Sequence, residues 1–389
     1  MNLAEREARL ERLRGYLVRD PGNLPLTLDF AATATEVGRG EEALQVLDRA
    51  LEGLPNEPRL LGARGNVLLA LSRLDEAALL FEGLIAQVGA QPELSFNLAM
   101  ARIYQGRGRE ARELLEGIAP AARASLPQFE LHCAQAAYQT LDYAGALAGV
   151  DRYLRTNPGD VDGASLRALL LLDTEREALA ASEAQALLKV DPRRWEAHLV
   201  LGSCALATQD AGAAEAHFSQ ALSRAPDLGR AWSGRGFAAL LRRDVPLARR
   251  YFEKAVEQMK DHPGTWHGLV WSCILLGDLA RARSALESSM EVDRNFADNH
   301  GTLAVLEVLA GRHTEAELSI RKALRLNPQA PSALYARSLL LDAKGDAAGA
   351  DAIVEKILGS GMAQGPALLA LYKQGRSKSN GGLQPPTIH

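Results

Sequence analysis

The stretch GRAWSGRGFAALLRRDVPLARRYFEKAVEQMKDH, residues 229–262, decides the fold. The alanine at its twentieth position, Ala248, recurs along the chain at spacings of 34, 34 and 35 residues and then six times 34. A fixed period of this length predicts stacked copies of one supersecondary unit. The alanines on this grid are Ala43, Ala77, Ala111, Ala146, Ala180, Ala214, Ala248, Ala282, Ala316 and Ala350.

Three other positions repeat with the alanine. Counting the grid alanine as position 20 places the unit starts at residues 24, 58, 92, 127, 161, 195, 229, 263, 297 and 331. In this numbering the residue at position 8 is nearly always small, and the residue at position 24 is mostly bulky and apolar. Helical periodicity places position 8 on one helix and positions 20 and 24 on one face of a second, so small side chains let the two approach closely. Proline at position 32 ends the second helix in five units. We therefore predict ten antiparallel helix pairs that are stabilised by stacking.

This pattern resembles the tetratricopeptide repeat. Trp232 and Trp266 stand at position 4, where that family favours tryptophan, and the resemblance covers residues 24–364. It implies an all-α fold, an α-solenoid in which about ten helix pairs form a right-handed superhelix. The resemblance further implies that the first helix of each pair, called a first helix from here on, lines a concave groove that binds peptides or partner proteins.

The ends of the chain depart from the repeat. Residues 1–23 are expected to form an N-terminal capping helix, equivalent to half a repeat, before ten repeats over 24–364. A second capping helix is expected over 365–376, because Pro366 suits the first turn of a helix. The polar residues 377–389 are expected to be disordered.

Composition narrows the classes of function. A formal charge of −4 gives no electrostatic footprint for nucleic acid. No run approaches 18 apolar residues, so we expect no membrane insertion, and the charged N-terminus argues against a signal peptide. Three dispersed cysteines favour a reducing compartment, so we expect a cytoplasmic protein. The excess of arginine over lysine suggests a GC-rich genome, and we expect a bacterial protein.

No motif indicates catalysis or a cofactor. The eight histidines do not cluster, and no cysteine–histidine spacing of the zinc type occurs, so we expect no metal site. His198 and His300 fall at position 4 and are expected in the core, whereas His217 and His313 are expected to be solvated. The cysteines are interpreted as core fillers, with Cys133 and Cys273 buried by their phase. We expect a protein that is not an enzyme.

The predicted binding site is the groove, where positions 2, 5, 9, 12 and 13 of each unit are expected to point. Position 9 carries an apolar stripe, and a contiguous exposed apolar patch usually marks a binding surface. Trp271, with His267 one turn earlier, is the strongest single anchor, because aromatic residues dominate binding hot spots. The candidate groove residues are Asn66, Phe96, Asn97, Met100, Tyr104, Leu131, Gln135, Tyr138, Leu169, Phe237, His267, Trp271, Val305, Tyr335 and Leu339.

These observations favour a non-catalytic scaffold, adaptor or chaperone that binds an apolar helix or an extended apolar segment of a partner protein. Two alternatives remain open. In the first alternative, the chain is a regulatory or accessory subunit of an enzyme or secretion assembly and uses its convex face. In the second, it is a self-associating solenoid. In the latter, residues 366–389 or a second copy would occupy the groove, so a homo-oligomer is one expected form.

Overall fold

The computed structural model describes residues 2–359, which are helical apart from short connections. The helices in this range are α1 (Leu3–Arg19), α2 (Leu24–Glu36), α3 (Gly40–Gly53), α4 (Pro58–Ala70), α5 (Leu74–Val88), α6 (Pro92–Tyr104), α7 (Gly108–Glu116), α8 (Pro120–Arg123), α9 (Phe129–Gln139), α10 (Tyr143–Thr156), α11 (Val161–Asp173), α12 (Glu177–Val190), α13 (Trp195–Ala207), α14 (Ala211–Arg224), α15 (Gly229–Leu241), α16 (Val245–Gln258), α17 (Pro263–Leu275), α18 (Leu279–Val292), α19 (Ala297–Leu309), α20 (His313–Leu326), α21 (Pro331–Ala343) and α22 (Ala347–Gly359).

The described residues divide into two compact units, with the division between Ala180 and Ala181 inside α12. Within each unit, consecutive helix pairs stack on one another, which is the arrangement of an all-α solenoid. Nine of the ten first helices begin at the first residue of a sequence unit, and the other begins at Phe129 instead of residue 127. The predicted all-α solenoid is confirmed.

The alanine grid is the centre of the packing. All ten of its alanines are 0% exposed, and every residue at position 24 is also buried. Positions 8 and 24 compensate each other in volume. A Cβ added at Gly65 would lie 2.5 Å from the Phe81 ring, so phenylalanine at position 24 requires glycine at position 8. The same pairing occurs at Gly202 with Phe218 and Gly236 with Phe252.

A ring at position 4 fastens four of the first helices to the segment before them. The indole N–H of Trp232 donates to the Pro226 carbonyl oxygen at 2.8 Å, and Trp266 donates in the same way to Lys260. The Nε2 atom of His300 lies 2.8 Å from the Arg294 carbonyl, and His198 contacts the Pro192 carbonyl. His198 and His300 are buried, which confirms that they are core residues.

Repeats three and four depart from this regular packing. The second helix α7 has only nine residues, and the four-residue helix α8 follows it. The apolar side chains of Ile118 and Leu126, which flank α8, are buried in the local core. Gln128 then adopts a left-handed conformation, with φ of 52°, before α9 begins. The one extra residue of the sequence period is therefore absorbed by α8 and its connections.

The predicted boundaries at the two ends of the chain remain predictions. Helix α1 ends at Arg19, within the range expected for the N-terminal capping helix, and it buries Leu10 and Leu13. The predicted C-terminal capping helix and the polar tail, residues 365–389, lie outside the described residues. Across residues 2–359, no helix has both the length and the apolar character needed to cross a membrane.

Candidate partner-binding face

The candidate groove residues all lie on first helices. In the first unit they belong to α4, α6, α9 and α11, and in the second unit to α15, α17, α19 and α21. We call the surface formed by positions 2, 5, 9, 12 and 13 of these helices the first-helix face. That this face binds a partner remains a prediction.

Four of the candidates are core residues, so their predicted exposure is wrong. Phe96, Leu131 and Leu169 in the first unit and Val305 in the second unit are buried. Phe96 on α6 shows the physical reason. The centroid of its ring lies 5.2 Å from that of His132, which belongs to α9, the first helix of the next repeat, and the two rings meet edge-on. First helices of neighbouring repeats pack against each other directly, and large side chains between them are enclosed. The predicted stripe at position 9 is therefore not continuous.

Within residues 2–359, three of the four polar candidates in the first unit bond to one another or to a neighbour, and Gln135 does not. Asn97 Nδ2 donates to Asn66 Oδ1 of the preceding repeat at 2.8 Å. The Tyr138 hydroxyl donates to Asp173 Oδ2 at 2.6 Å. The amide oxygen of Gln135 is buried and has no hydrogen-bond partner among the described residues.

Two apolar candidates of the first unit reach the surface. Tyr104, at the end of α6, is 52% exposed, and Met100, one turn earlier, is half-buried. Met100 follows Asn97 by three residues on α6, so the first-helix face of this unit carries both polar and apolar side chains.

The second unit exposes an apolar pair on α15. Phe237 and Leu241 are each 44% exposed, and their spacing of four residues places them on one side of the helix. The ring of Phe237 meets the buried Phe252 edge-on, with centroids 5.1 Å apart. One edge of Phe237 is thus held by the core while the rest of the ring faces water.

Three further candidates form an aromatic group, which we call the Trp271 cluster: His267, Trp271 and Tyr335. The centroids of Trp271 and Tyr335 are 5.8 Å apart, and those of His267 and Trp271 are 6.4 Å apart. All three are half-buried, as is Leu339 one turn after Tyr335. The structure therefore brings these candidates together from α17 and α21.

His267 is held by residues that the sequence interpretation missed. Its Nε2 atom lies 3.1 Å from the Asp298 carbonyl oxygen and 2.7 Å from the Thr302 hydroxyl, and its ring contacts Phe296 edge-on. Burial lowers the pKa of His267. Asp298 and Thr302 follow His267 by 31 and 35 residues, so an offset of about one repeat was the signal that could have found them.

Two expectations for the reactive side chains need correction. His217 is half-buried instead of fully solvated, and its Nδ1 atom lies 3.1 Å from Nδ1 of the buried His198. Cys133 is half-buried, not buried as its phase predicted, and Cys204 is also half-buried, whereas Cys273 is buried. Burial raises the pKa of both Cys133 and Cys273 to about 11, so these thiols stay protonated at neutral pH.

Within residues 2–359, no three or more side chains of histidine, cysteine, aspartate or glutamate form a group that could hold a metal ion.

The repeat pattern, the buried alanine grid and the stacked helix pairs define one class of protein. A family model described as "Tetratricopeptide repeat" matches residues 28–92, 165–229, 205–264, 275–331 and 302–365. These matches cover more than half of the chain, which therefore belongs to the tetratricopeptide repeat family. Proteins with this fold are typically non-catalytic scaffolds for protein interactions. The unmatched residues 93–164 contain the irregular third and fourth repeats.

Solved structures show the same fold at low sequence identity. A chain of the APC/C hetero-tetramer Cut9–Hcn1 is 14% identical, with a TM-score of 0.56, over 95% of this chain and 88% of that chain. The human IFIT1 dimer with m7Gppp-AAAA is 16% identical, with a TM-score of 0.54, over 92% of this chain and 94% of that chain. No curated protein matches the sequence. At these identities the similarity concerns the fold alone.

Proposed function

We propose that this chain is a non-catalytic adaptor or chaperone that holds an apolar segment of a partner protein on the first-helix face of repeats seven to ten. The exposed pair Phe237 and Leu241 is the observation that carries this proposal. Water meets both side chains over almost half of their surface, and burying such surface against a partner is favourable. The family supports a protein as the partner.

The charge pattern of the face supports an apolar partner segment. Positions 5, 9, 12 and 13 of repeats seven, eight and nine contain no aspartate, glutamate, lysine or arginine. Charges on the face of repeats seven to ten are confined to Arg230 and Asp298 at position 2 and Asp342 of repeat ten, so a charged segment over α17 would lose hydration without gaining an opposite charge there. Apolar side chains lose nothing of this kind, and the Trp271 cluster adds the aromatic surface that dominates binding hot spots.

The test is a double charge substitution on α15. Phe237→Glu with Leu241→Glu places two carboxylates on the face, so we expect the affinity for the partner to fall at least tenfold. The measurement is affinity capture from native lysate, followed by titration of the captured partner with purified full-length variants. Circular dichroism and thermal unfolding verify that the double variant is folded.

A matched control lies on a second helix of the same unit. Leu318 and Leu326 on α20 are 56% and 40% exposed, so Leu318→Glu with Leu326→Glu makes the same chemical change elsewhere. We expect this control to bind normally. Loss of binding in the control, with retention in the α15 variant, would contradict the proposal and favour the alternative of a convex-face interface.

Self-association makes a different prediction. If residues 366–389 or a second copy occupied the face, deleting residues 366–389 would change the oligomeric state. Sedimentation of the full chain and of the truncated chain distinguishes this alternative from binding to a partner. A cytoplasmic location is part of the proposal, since the dispersed free cysteines suit a reducing compartment.

A further inference from the structure

Two histidine rings of repeat six face each other between its paired helices. His198 stands at position 4 on α13 and His217 at position 23 on α14. Their Nδ1 atoms are 3.1 Å apart and their ring centroids 5.4 Å apart. Repeat seven places Trp232 and Tyr251 at the same two positions, with centroids 5.8 Å apart. The contact between these positions therefore belongs to the repeat packing, whereas the two imidazoles are particular to repeat six.

The Pro192 carbonyl fixes which nitrogen of each ring carries the proton. Its oxygen lies 3.1 Å from His198 Nε2 and can only accept a hydrogen bond, so Nε2 is protonated and His198 Nδ1 presents a lone pair. His217 Nδ1 donates its proton to that lone pair. Burial and, secondly, His198 lower the pKa of His217, so its ring is neutral at neutral pH. A single proton thus joins two nitrogens that are both potential metal ligands.

The separation of the two nitrogens suits one tetrahedral metal ion. Zn²⁺ binds imidazole nitrogen at about 2.0–2.1 Å, so two nitrogens on one tetrahedral ion are about 3.3 Å apart. The observed 3.1 Å is close to this value. Each ring must turn about its Cβ–Cγ bond to aim its lone pair at a shared ion, and this torsion is soft in histidine. A metal-bound histidine usually donates its other N–H to a carbonyl or carboxylate oxygen, as His198 does to Pro192.

We propose that His198 and His217 form a binding site for a divalent transition-metal ion that prefers imidazole ligands, the class of Zn²⁺, Ni²⁺ and Cu²⁺. The Nδ1 atoms of both rings bind the ion, and water fills the remaining positions on the side of the half-buried His217. On binding, the N–H bond at His217 Nδ1 breaks and an N–H bond forms at its Nε2 by exchange with water. A neutral pair therefore releases no net proton.

The ion would connect the two helices of repeat six, and this role is separate from binding at the first-helix face. Positions 4 and 23 are not among the positions that form that face. The two histidines are 19 residues apart in the sequence, a spacing that matches no metal-binding motif, which is why the sequence alone favoured no metal site.

The test is calorimetric titration of the full-length chain with Zn²⁺ alone. We expect one site whose affinity falls at least tenfold in His217→Phe, because a ligand is lost. His300→Phe is the matched control. His300 also stands at position 4 and contacts a carbonyl oxygen through Nε2, but Ser319 occupies position 23 of its repeat, so the affinity should not change. Mg²⁺ prefers oxygen ligands and should not bind at this site.

A second variant guards against loss of the fold. His198→Trp with His217→Tyr installs the pair that repeat seven uses, so it should fold, as circular dichroism verifies, and bind Zn²⁺ at least tenfold more weakly. Long-range ¹H–¹⁵N NMR of the wild-type imidazoles gives an atomic readout, in which Zn²⁺ should shift both Nδ1 resonances and move the His217 proton to Nε2. Unchanged imidazole resonances, or Zn²⁺ affinity retained in a folded variant that lacks His217, would overturn the inference.

Discussion

The two units share one packing scheme and differ in what their first helices present. In the first unit, polar side chains of neighbouring repeats bond to each other, as in Asn66 with Asn97 and Tyr138 with Asp173. In the second unit, the first helices expose Phe237 and the half-buried Trp271, whose indole N–H has no partner among the described residues. A polar group that is bonded inside the protein adds to stability, whereas an unbonded one at the surface is available to a ligand. This difference is the reason for proposing the second unit as the site of binding.

The largest expected effect is a loss of stability when the packing shared by the two units is disturbed. Phe81 in the first unit and Phe252 in the second both fill position 24 and are fully buried. Phe81→Ala and Phe252→Ala should each lower the free energy of unfolding by about 3–5 kcal/mol, because each leaves a cavity between paired helices. Urea denaturation of the two variants provides the measurement. A large loss in only one of them would show that the units do not share a packing scheme.

Much of that scheme was predictable, because it follows from a period. The ten alanines of the grid had one environment in common, and the structure buries all of them completely. The face was less predictable. Leu169 and Val305 stand at position 9, as Phe237 does, but are buried, because the distance between first helices depends on side chains contributed by two repeats at once. A periodic position fixes which side of a helix a residue occupies, and it does not fix how closely the next helix covers it.

An intermediate effect tests whether the polar pairs of the first unit are structural. Tyr138→Phe removes the hydroxyl that donates to the Asp173 carboxylate and keeps the ring. Because the acceptor is charged but the pair is only half-buried, we expect the free energy of unfolding to fall by about 1–2 kcal/mol. Asn97→Ala should act in the same direction with a smaller size, since its partner is neutral. If both variants were as stable as the wild type, the polar side chains of the first unit would be free to bind a partner as well.

The smallest expected effect is the difference in stability that one indole N–H makes. Trp266 and Trp271 lie on the same helix and are both half-buried, but only the Trp266 indole N–H is bonded, to the Lys260 carbonyl. Replacing either ring with phenylalanine removes similar apolar area, so the two variants should differ by the value of one hydrogen bond, about 1 kcal/mol, with Trp266→Phe the less stable. Urea denaturation under one set of conditions measures this difference.

A Trp271→Phe variant that is as destabilised as Trp266→Phe would mean that the Trp271 indole is bonded within the folded chain. The donor would then be unavailable to a ligand, and the contrast between the two units would reduce to the exposed pair on α15. The expected order instead separates two uses of one residue type on one helix. Trp266 fixes the helix to the preceding segment, so its replacement should lower stability. The Trp271 indole N–H has no partner among the described residues, so its replacement should not carry that cost.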